Sequence, residues 1–214
     1  PDILINGRPH IGSDRLPAIC RHIRRRIESL GGEVRFGQKL EDIEVTEGTL
    51  TAIRVNGRRQ RVGPVILATG HSARDTVRSL ARRGVRMVGK PFQMGVRVEH
   101  PQAMVDRWQY GAAAGHPRLP PAEYRHVARR CAGQRGDVFS FCMCPGGQIV
   151  PAHESPGQIA TNGVSRSDRA GPLANAALVI TVQPEDAGAD PFAALAWLEQ
   201  WERKAFEQTG RTYQ

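Results

Sequence analysis

Pro64-Val65-Ile66-Leu67-Ala68-Thr69-Gly70-His71-Ser72 is an apolar run that ends in Ala-Thr-Gly. A fully buried strand of an α/β sheet reads as such a run, and a small-residue turn at its carboxyl end lets a cofactor approach the backbone. The expectation is a buried strand over 65–68 that enters a turn at Thr69-Gly70 and leaves it in a helix.

The segments around that run fit the same sheet. Between residues 13 and 30, Leu16, Ile19, Cys20, Ile23, Ile27 and Leu30 follow the three-and-four spacing of one helix face. Ser13 or Asp14 can cap its start, and Gly31-Gly32 ends it. Arg24-Arg25-Arg26 then falls on the solvated side, with an anion site as the alternative. A strand over 33–36 follows. Thr46-Glu47-Gly48 joins strands around 40–45 and 50–55, and Asn56-Gly57 returns residues 58–62 to the sheet as a β-meander. After the Ala-Thr-Gly turn, Ala73, Val77, Leu80 and Ala81 mark a helix over 72–83 that Gly84 ends. Its free N–H groups and positive dipole end then face the turn, where an anionic group could lie.

Composition changes near Lys90-Pro91, where β-like stretches over 92–99, 138–143 and 177–182 take over. Residues 101–108 and 121–130 read as short helices and 112–117 as a loop. Phe192, Leu195, Leu198, Trp201 and Ala205 recur on one face of a helix over 192–208, with Glu199 and Arg203 as an i,i+4 pair. The division is a domain over 1–89 and a mixed, β-rich second domain over 90–214, expected to be incomplete.

The chain has 214 residues, 40% of them hydrophobic, which is enough for a core. Its formal charge of +9 opens a second class of function, a basic nucleic-acid-binding protein. Against it, the excess is almost all Arg and spread evenly, with Lys only at positions 39, 90 and 204, and aromatic residues make up 6% without clustering. No zinc-finger, helix-turn-helix or RNA-recognition signature occurs, so specific nucleic-acid binding is not expected. No stretch is long and apolar enough for a membrane helix, and no signal peptide is visible. Four cysteines are too few for a disulfide framework in a chain this long, which fits a reducing cytoplasm.

Helix, Gly-Gly stop, strand, meander and Ala-Thr-Gly strand is the order found in the second half of the dinucleotide domain of FAD-binding proteins of the glutathione-reductase type. No G-x-G-x-x-G occurs in the chain, although such a domain ordinarily opens with one. With Pro1 in place of an initiator Met, the expectation is an internal piece of a longer protein whose fingerprint lies upstream. Arg8-Pro9-His10-Ile11-Gly12-Ser13-Asp14, Ala68-Thr69-Gly70-His71-Ser72-Ala73-Arg74-Asp75, Gly95-Val96-Arg97-Val98-Glu99-His100-Pro101 and Ser140-Phe141-Cys142-Met143-Cys144-Pro145-Gly146-Gly147 occur in that order. With Thr161-Asn162-Gly163 and Asn175-Ala176-Ala177-Leu178-Val179, they resemble the bacterial family of uncharacterised FAD-dependent dehydrogenases, also described as NAD(P)/FAD-dependent oxidoreductases. The resemblance implies an α/β (α+β) protein: a partial FAD-binding Rossmann-like domain with a meander, plus an inserted β-rich second domain. It also implies FAD as cofactor, NAD(P)H as a candidate electron donor, and hydride transfer to or from a small-molecule substrate. A non-catalytic flavoprotein scaffold is the remaining alternative.

Ala68, Thr69 and Gly70 are the first cofactor-binding candidates, and Leu40, by similarity, offers backbone groups to adenine. His71 stands beside the expected flavin and is the candidate proton carrier. His10, His100 and His153 are weaker ones, and Arg8, Arg74 and Arg97 are candidate anion binders. Cys142 and Cys144 read either as structural thiols or as a redox pair. In an extended strand their Cα atoms stand roughly 6.5–7 Å apart, at or beyond bridging distance unless the strand bends. No metal site is expected, because no second cysteine pair stands at usable spacing.

Overall fold

The computed structural model describes residues 10–129, 136–152, 155–188 and 190–213. They form two compact units, Arg24–Val88 on one hand and Gly89–Gln214 with the residues up to Ile23 on the other. The architecture is mixed α/β, with three sheets whose ladders are all antiparallel.

Two tight turns build the sheet of the first unit. Glu47 and Gly48, at φ 50° and 76°, join β1 (Leu40–Thr46) to β2 (Thr49–Val55). Asn56 and Gly57, at 47° and 74°, join β2 to β3 (Arg58–Arg61). Paired left-handed residues match the twist of a hairpin, so the expected meander forms in the order β1-β2-β3. Ile43, Ala52 and Val55 are its buried positions. Helix α2 (Arg74–Arg82) packs on β1 and ends at Gly84, whose N–H reaches Ala81 O at 2.9 Å.

Four expectations fail in this part of the chain. Residues 65–68 form no ladder among the described residues, and Val65, Ile66 and Leu67 are exposed, Ile66 to 93%. Residues 33–36 form none either, and Phe36 is 73% exposed. An apolar run becomes a strand only where neighbours satisfy its backbone groups, and the last meander bond runs from Val62 N to Thr51 O. Helix α1 (Leu16–Ser29) has the expected end, with Gly31 at φ 86° and Gly32 N donating to Ile27 O at 3.0 Å. Its apolar stripe is uncovered, however, since α1 has no buried residue. Its expected caps are diverted to a tertiary link: Ser13 Oγ donates to Ser165 O, and the Asp14 carboxylate accepts from Ser167 N at 2.7 Å.

In the second unit, β4 (Phe92–Pro101) pairs along ten residues with β9 (Leu173–Val182). β9 pairs in turn with β6 (Val138–Cys144), and β6 with the short β5 (Val127–Ala128). β7 (Gly147–Pro151) and β8 (Thr161–Ser165) make a separate hairpin ladder. α3 (Gln102–Tyr110) leaves β4 directly, and its Val105 joins Ala122, Tyr124, Ala174 and Ala176 in the core. α4 (Pro184–Ala187) precedes α5 (Pro191–Gln208), which Asp190 caps by accepting from Ala193 N. The helix expected over 121–130 is instead extended where it is described. Ala122 and Tyr124 are buried while Glu123 and Arg125 are exposed, a period of two. The Ala122 N–H is taken by Asp106 Oδ1 and the His126 N–H by Ser140 Oγ, so tertiary partners replace helical ones. No described helix is long and apolar enough to cross a membrane.

Candidate functional site

The Ala-Thr-Gly turn is open. Ala68, Thr69, Gly70 and His71 are all exposed. Gly70 sits at φ 76°, and a Cβ built on it would meet no atom of the described residues within 4 Å. α2 starts four residues later without a side-chain cap. One of its first N–H groups, that of Thr76, is taken by Asp75 Oδ1 at 2.9 Å.

Asp75 also pairs with Lys39 Nζ at 2.9 Å. The ammonium holds the Asp75 carboxyl below its ordinary value, and the carboxylate raises Lys39. This pair brings the start of β1 to the start of α2, so Leu40 and Thr76 line one cleft of about 170 Å³ with Lys39, Asp75, Ser79 and Arg82. A second clamp lies alongside, where the Arg83 guanidinium grips the Asp42 carboxylate through two nitrogens and pulls its pKa far down.

In the second unit the structure builds a tighter cluster at the Cys-Met-Cys-Pro-Gly-Gly loop. Phe141 faces Ala177 and Cys144 faces Asn175, so three steps along β6 match two along β9 and the strand bulges. Cys142 occupies the bulge at φ 46°, in the left-handed region. Arg97 Nη1 donates both to Cys142 O at 3.2 Å and to Asn175 Oδ1 at 2.7 Å. Asn175 is fully buried, and its Nδ2 has no hydrogen-bond partner among the described residues. Burial pushes the Cys144 thiol up, with the Arg97 guanidinium opposing that rise.

Pro145, Gly146 and Gly147 are buried. Gly146 N donates to Gln102 Oε1 at 2.8 Å, and Ser165 Oγ donates to Pro145 O at 2.6 Å. Glycine is required here: a Cβ on Gly146 would overlap the Arg169 carbonyl, and one on Gly163 would overlap Arg97 Nη1 and Asn175 Oδ1. Beside this cluster a groove of about 410 Å³ runs along β4, lined by Arg97, Thr161, Ala177, Trp201 and Glu202 among others.

The remaining candidates disperse. His10 Nε2 lies 2.7 Å from Arg166 O at the surface. His100 bonds Tyr124 OH at 2.7 Å and stacks edgewise on Trp108. Arg74 is buried and Cys20 exposed. Arg8, Cys131 and His153 lie outside the described residues. Among the described residues no group of three His, Cys, Asp or Glu could hold a metal. Gln102, Ser165 and Asn175, which fix the cysteine loop, carried no sequence signal as site residues. Their partners stand 44, 20 and 78 residues away.

A family described as "FAD-dependent protein, C-terminal domain-like" matches residues 91–214. The chain is 42% identical over 213 residues to an uncharacterised protein of Clostridium beijerinckii (strain ATCC 51743 / NCIMB 8052), covering 99% of this chain and 40% of that protein. The chain therefore spans about two fifths of the length of the curated relative it matches.

Proposed function

We propose, from the premise that this chain belongs to the FAD-dependent proteins with that C-terminal domain, that it works within an oxidoreductase that moves hydride at FAD. The family match is the observation that carries the reading. Bound FAD would supply the two-electron chemistry, while the protein orients the reactants and excludes water.

The residues of the first unit fit one edge of such a cofactor. The open backbone at Ala68, Thr69 and Gly70 allows close approach, because Gly70 presents no side chain and nothing crowds it. Leu40 offers backbone groups at the same corner as Lys39, whose ammonium favours an anionic group nearby. The Asp75 carboxylate, holding the Thr76 N–H, disfavours a phosphate directly on the start of α2. That chemistry suits a ribose or ring edge better than a pyrophosphate cradle, in keeping with a Rossmann-like domain over 1–89 whose phosphate fingerprint lies elsewhere.

His71 follows Gly70 and would carry a proton at its imidazole. The second domain, over 90–214, would hold the small-molecule substrate in the groove beside Arg97 and Trp201. NAD(P)H would serve as electron donor in the cytoplasm. The test is Gly70→Val in the protein carrying the whole FAD domain, read as the flavin-to-protein absorbance ratio with circular dichroism as the folding control. Cys142→Ser is the comparison. A folded, largely flavin-free Gly70→Val and a loaded Cys142→Ser are expected. Normal loading of Gly70→Val would remove this turn from the cofactor site.

A further inference from the structure

We infer that Cys142 and Cys144 form a dithiol that exchanges with low-molecular-weight disulfides and closes to an intramolecular disulfide, a redox site independent of the flavin reading. In a regular strand two such cysteines stand at or beyond bridging distance, so a bend is the condition for closure. The structure supplies that bend. The register slips between Phe141 and Cys144, and Cys142 holds φ 46°. A non-glycine residue there is strained, and such strain persists only where the surroundings impose it. Here Arg97 imposes it by donating to Cys142 O. The Cys144 thiol is folded back toward its partner, with Sγ 3.4 Å from Cys142 O.

The two thiols are also unequal in the way exchange requires. Cys142 is exposed and opens on a cleft of about 380 Å³ lined by Glu123, Tyr124, Arg125, Ser140 and Phe141, large enough to admit one half of a small disulfide. Cys144 is half-buried and does not line that cleft. The Cys142 thiolate attacks one sulfur of the small disulfide RSSR, forming a mixed disulfide on Cys142 and releasing one RS⁻. The Cys144 thiolate then attacks the Cys142 sulfur, forming the Cys142–Cys144 bond and releasing the second RS⁻. Each thiolate takes up a proton from those lost by the cysteines. The protein dithiol is oxidised by two electrons, and RSSR is reduced to two RSH.

The experiment uses the chain with Cys20→Ser and Cys131→Ser, so that only this pair remains, exposed to oxidised glutathione without oxygen and quenched with N-ethylmaleimide. Intact and peptide mass spectrometry should show a species two hydrogens lighter, with both cysteines protected within one peptide. Adding Cys144→Ser should trap a stable glutathione adduct on Cys142. Adding Cys142→Ser should slow adduct formation at least about tenfold, because the remaining thiol is half-buried. Circular dichroism confirms folding of each variant. Two thiols that alkylate independently, a glutathione adduct on Cys142 that persists with Cys144 present, or a disulfide found only between molecules would each overturn the inference.

Discussion

The Arg97 guanidinium stands 2.7 Å from Asn175 Oδ1, joining neighbouring strands β4 and β9 beneath the cysteine bulge. Asn175 is fully buried, so its carbonyl has no water to fall back on. Removing its donor among the described residues costs about 1–3 kcal/mol. Arg97→Ala should therefore lower stability by that amount in urea unfolding, and Arg97→Lys by less, since an ammonium can keep one of the two bonds. Equal losses would show that an ammonium replaces the guanidinium in neither bond.

Asp42 gives a pH signature. Arg83 holds its carboxyl below the ordinary value of 3.8. A group whose pKa is lower in the folded state stabilises the fold above its unfolded value, and that contribution is lost as pH falls through the folded value. Asp42→Asn should thus lower the melting temperature by the same margin at about pH 7 and about pH 5, both above the unfolded titration. No margin at either pH would mean that the clamp does not form in solution.

Glycines at positive φ should divide by their surroundings. Gly70 at 76° has open space around its missing Cβ, so Gly70→Ala should cost only the conformational strain, about 1 kcal/mol. At Gly146, φ is 59° and a Cβ would run into the Arg169 carbonyl. Gly146→Ala should cost about 2–4 kcal/mol, because backbone rather than a side-chain tip must move. Comparable midpoints for the two variants in urea would show that the loop is looser than its packing.

Local chemistry made the turns legible. Glu47-Gly48 and Asn56-Gly57 need left-handed backbone, and Gly31 and Gly84 end helices for the same reason. The long strands β4 and β9 were legible because β-rich apolar runs there find each other as partners. Apolar runs without such partners misled: 65–68 has the composition of a buried strand, yet nothing described pairs with it. Residues 121–130 misled in another way, because Asp106 and Ser140, distant in sequence, claim the Ala122 and His126 N–H groups. At the candidate site, Gly70 could be picked out by residue type and Leu40 only through the family resemblance. Gln102 and Asn175 could not, since a buried amide declares its role only when the fold brings its partners to it.

Exposure of the apolar segments changes what substitution should do. Ile66 is 93% exposed and Ile23 56%, so in this chain Ile66→Asp and Ile23→Asp should each shift stability by no more than about 0.5 kcal/mol. Val105, 1% exposed in the core, is the contrast, and Val105→Asp should cost several kcal/mol for an unpaired buried charge. Thermal melts of the three variants give the ranking directly. Severe loss in Ile66→Asp would mean that 65–68 is covered after all.

Gln102 ties the second unit's helix to its reactive loop. It is 6% exposed, and its Oε1 accepts from Gly146 N while its Nε2 donates to Asp106 Oδ1 and Ala122 O. Leucine has nearly the same volume, so Gln102→Leu removes the bonds without leaving a large cavity. Gly146 N then becomes a buried donor with no acceptor, a loss of about 1–3 kcal/mol for that group alone. Because Gly146 lies two residues after Cys144, loosening it should also free the bulge. The expected result is a lower urea midpoint together with faster alkylation of Cys144 by iodoacetamide, while exposed Cys20 reacts at its original rate. A lower midpoint with unchanged Cys144 reactivity would show that Gln102 steadies the core and leaves the cysteine loop untouched.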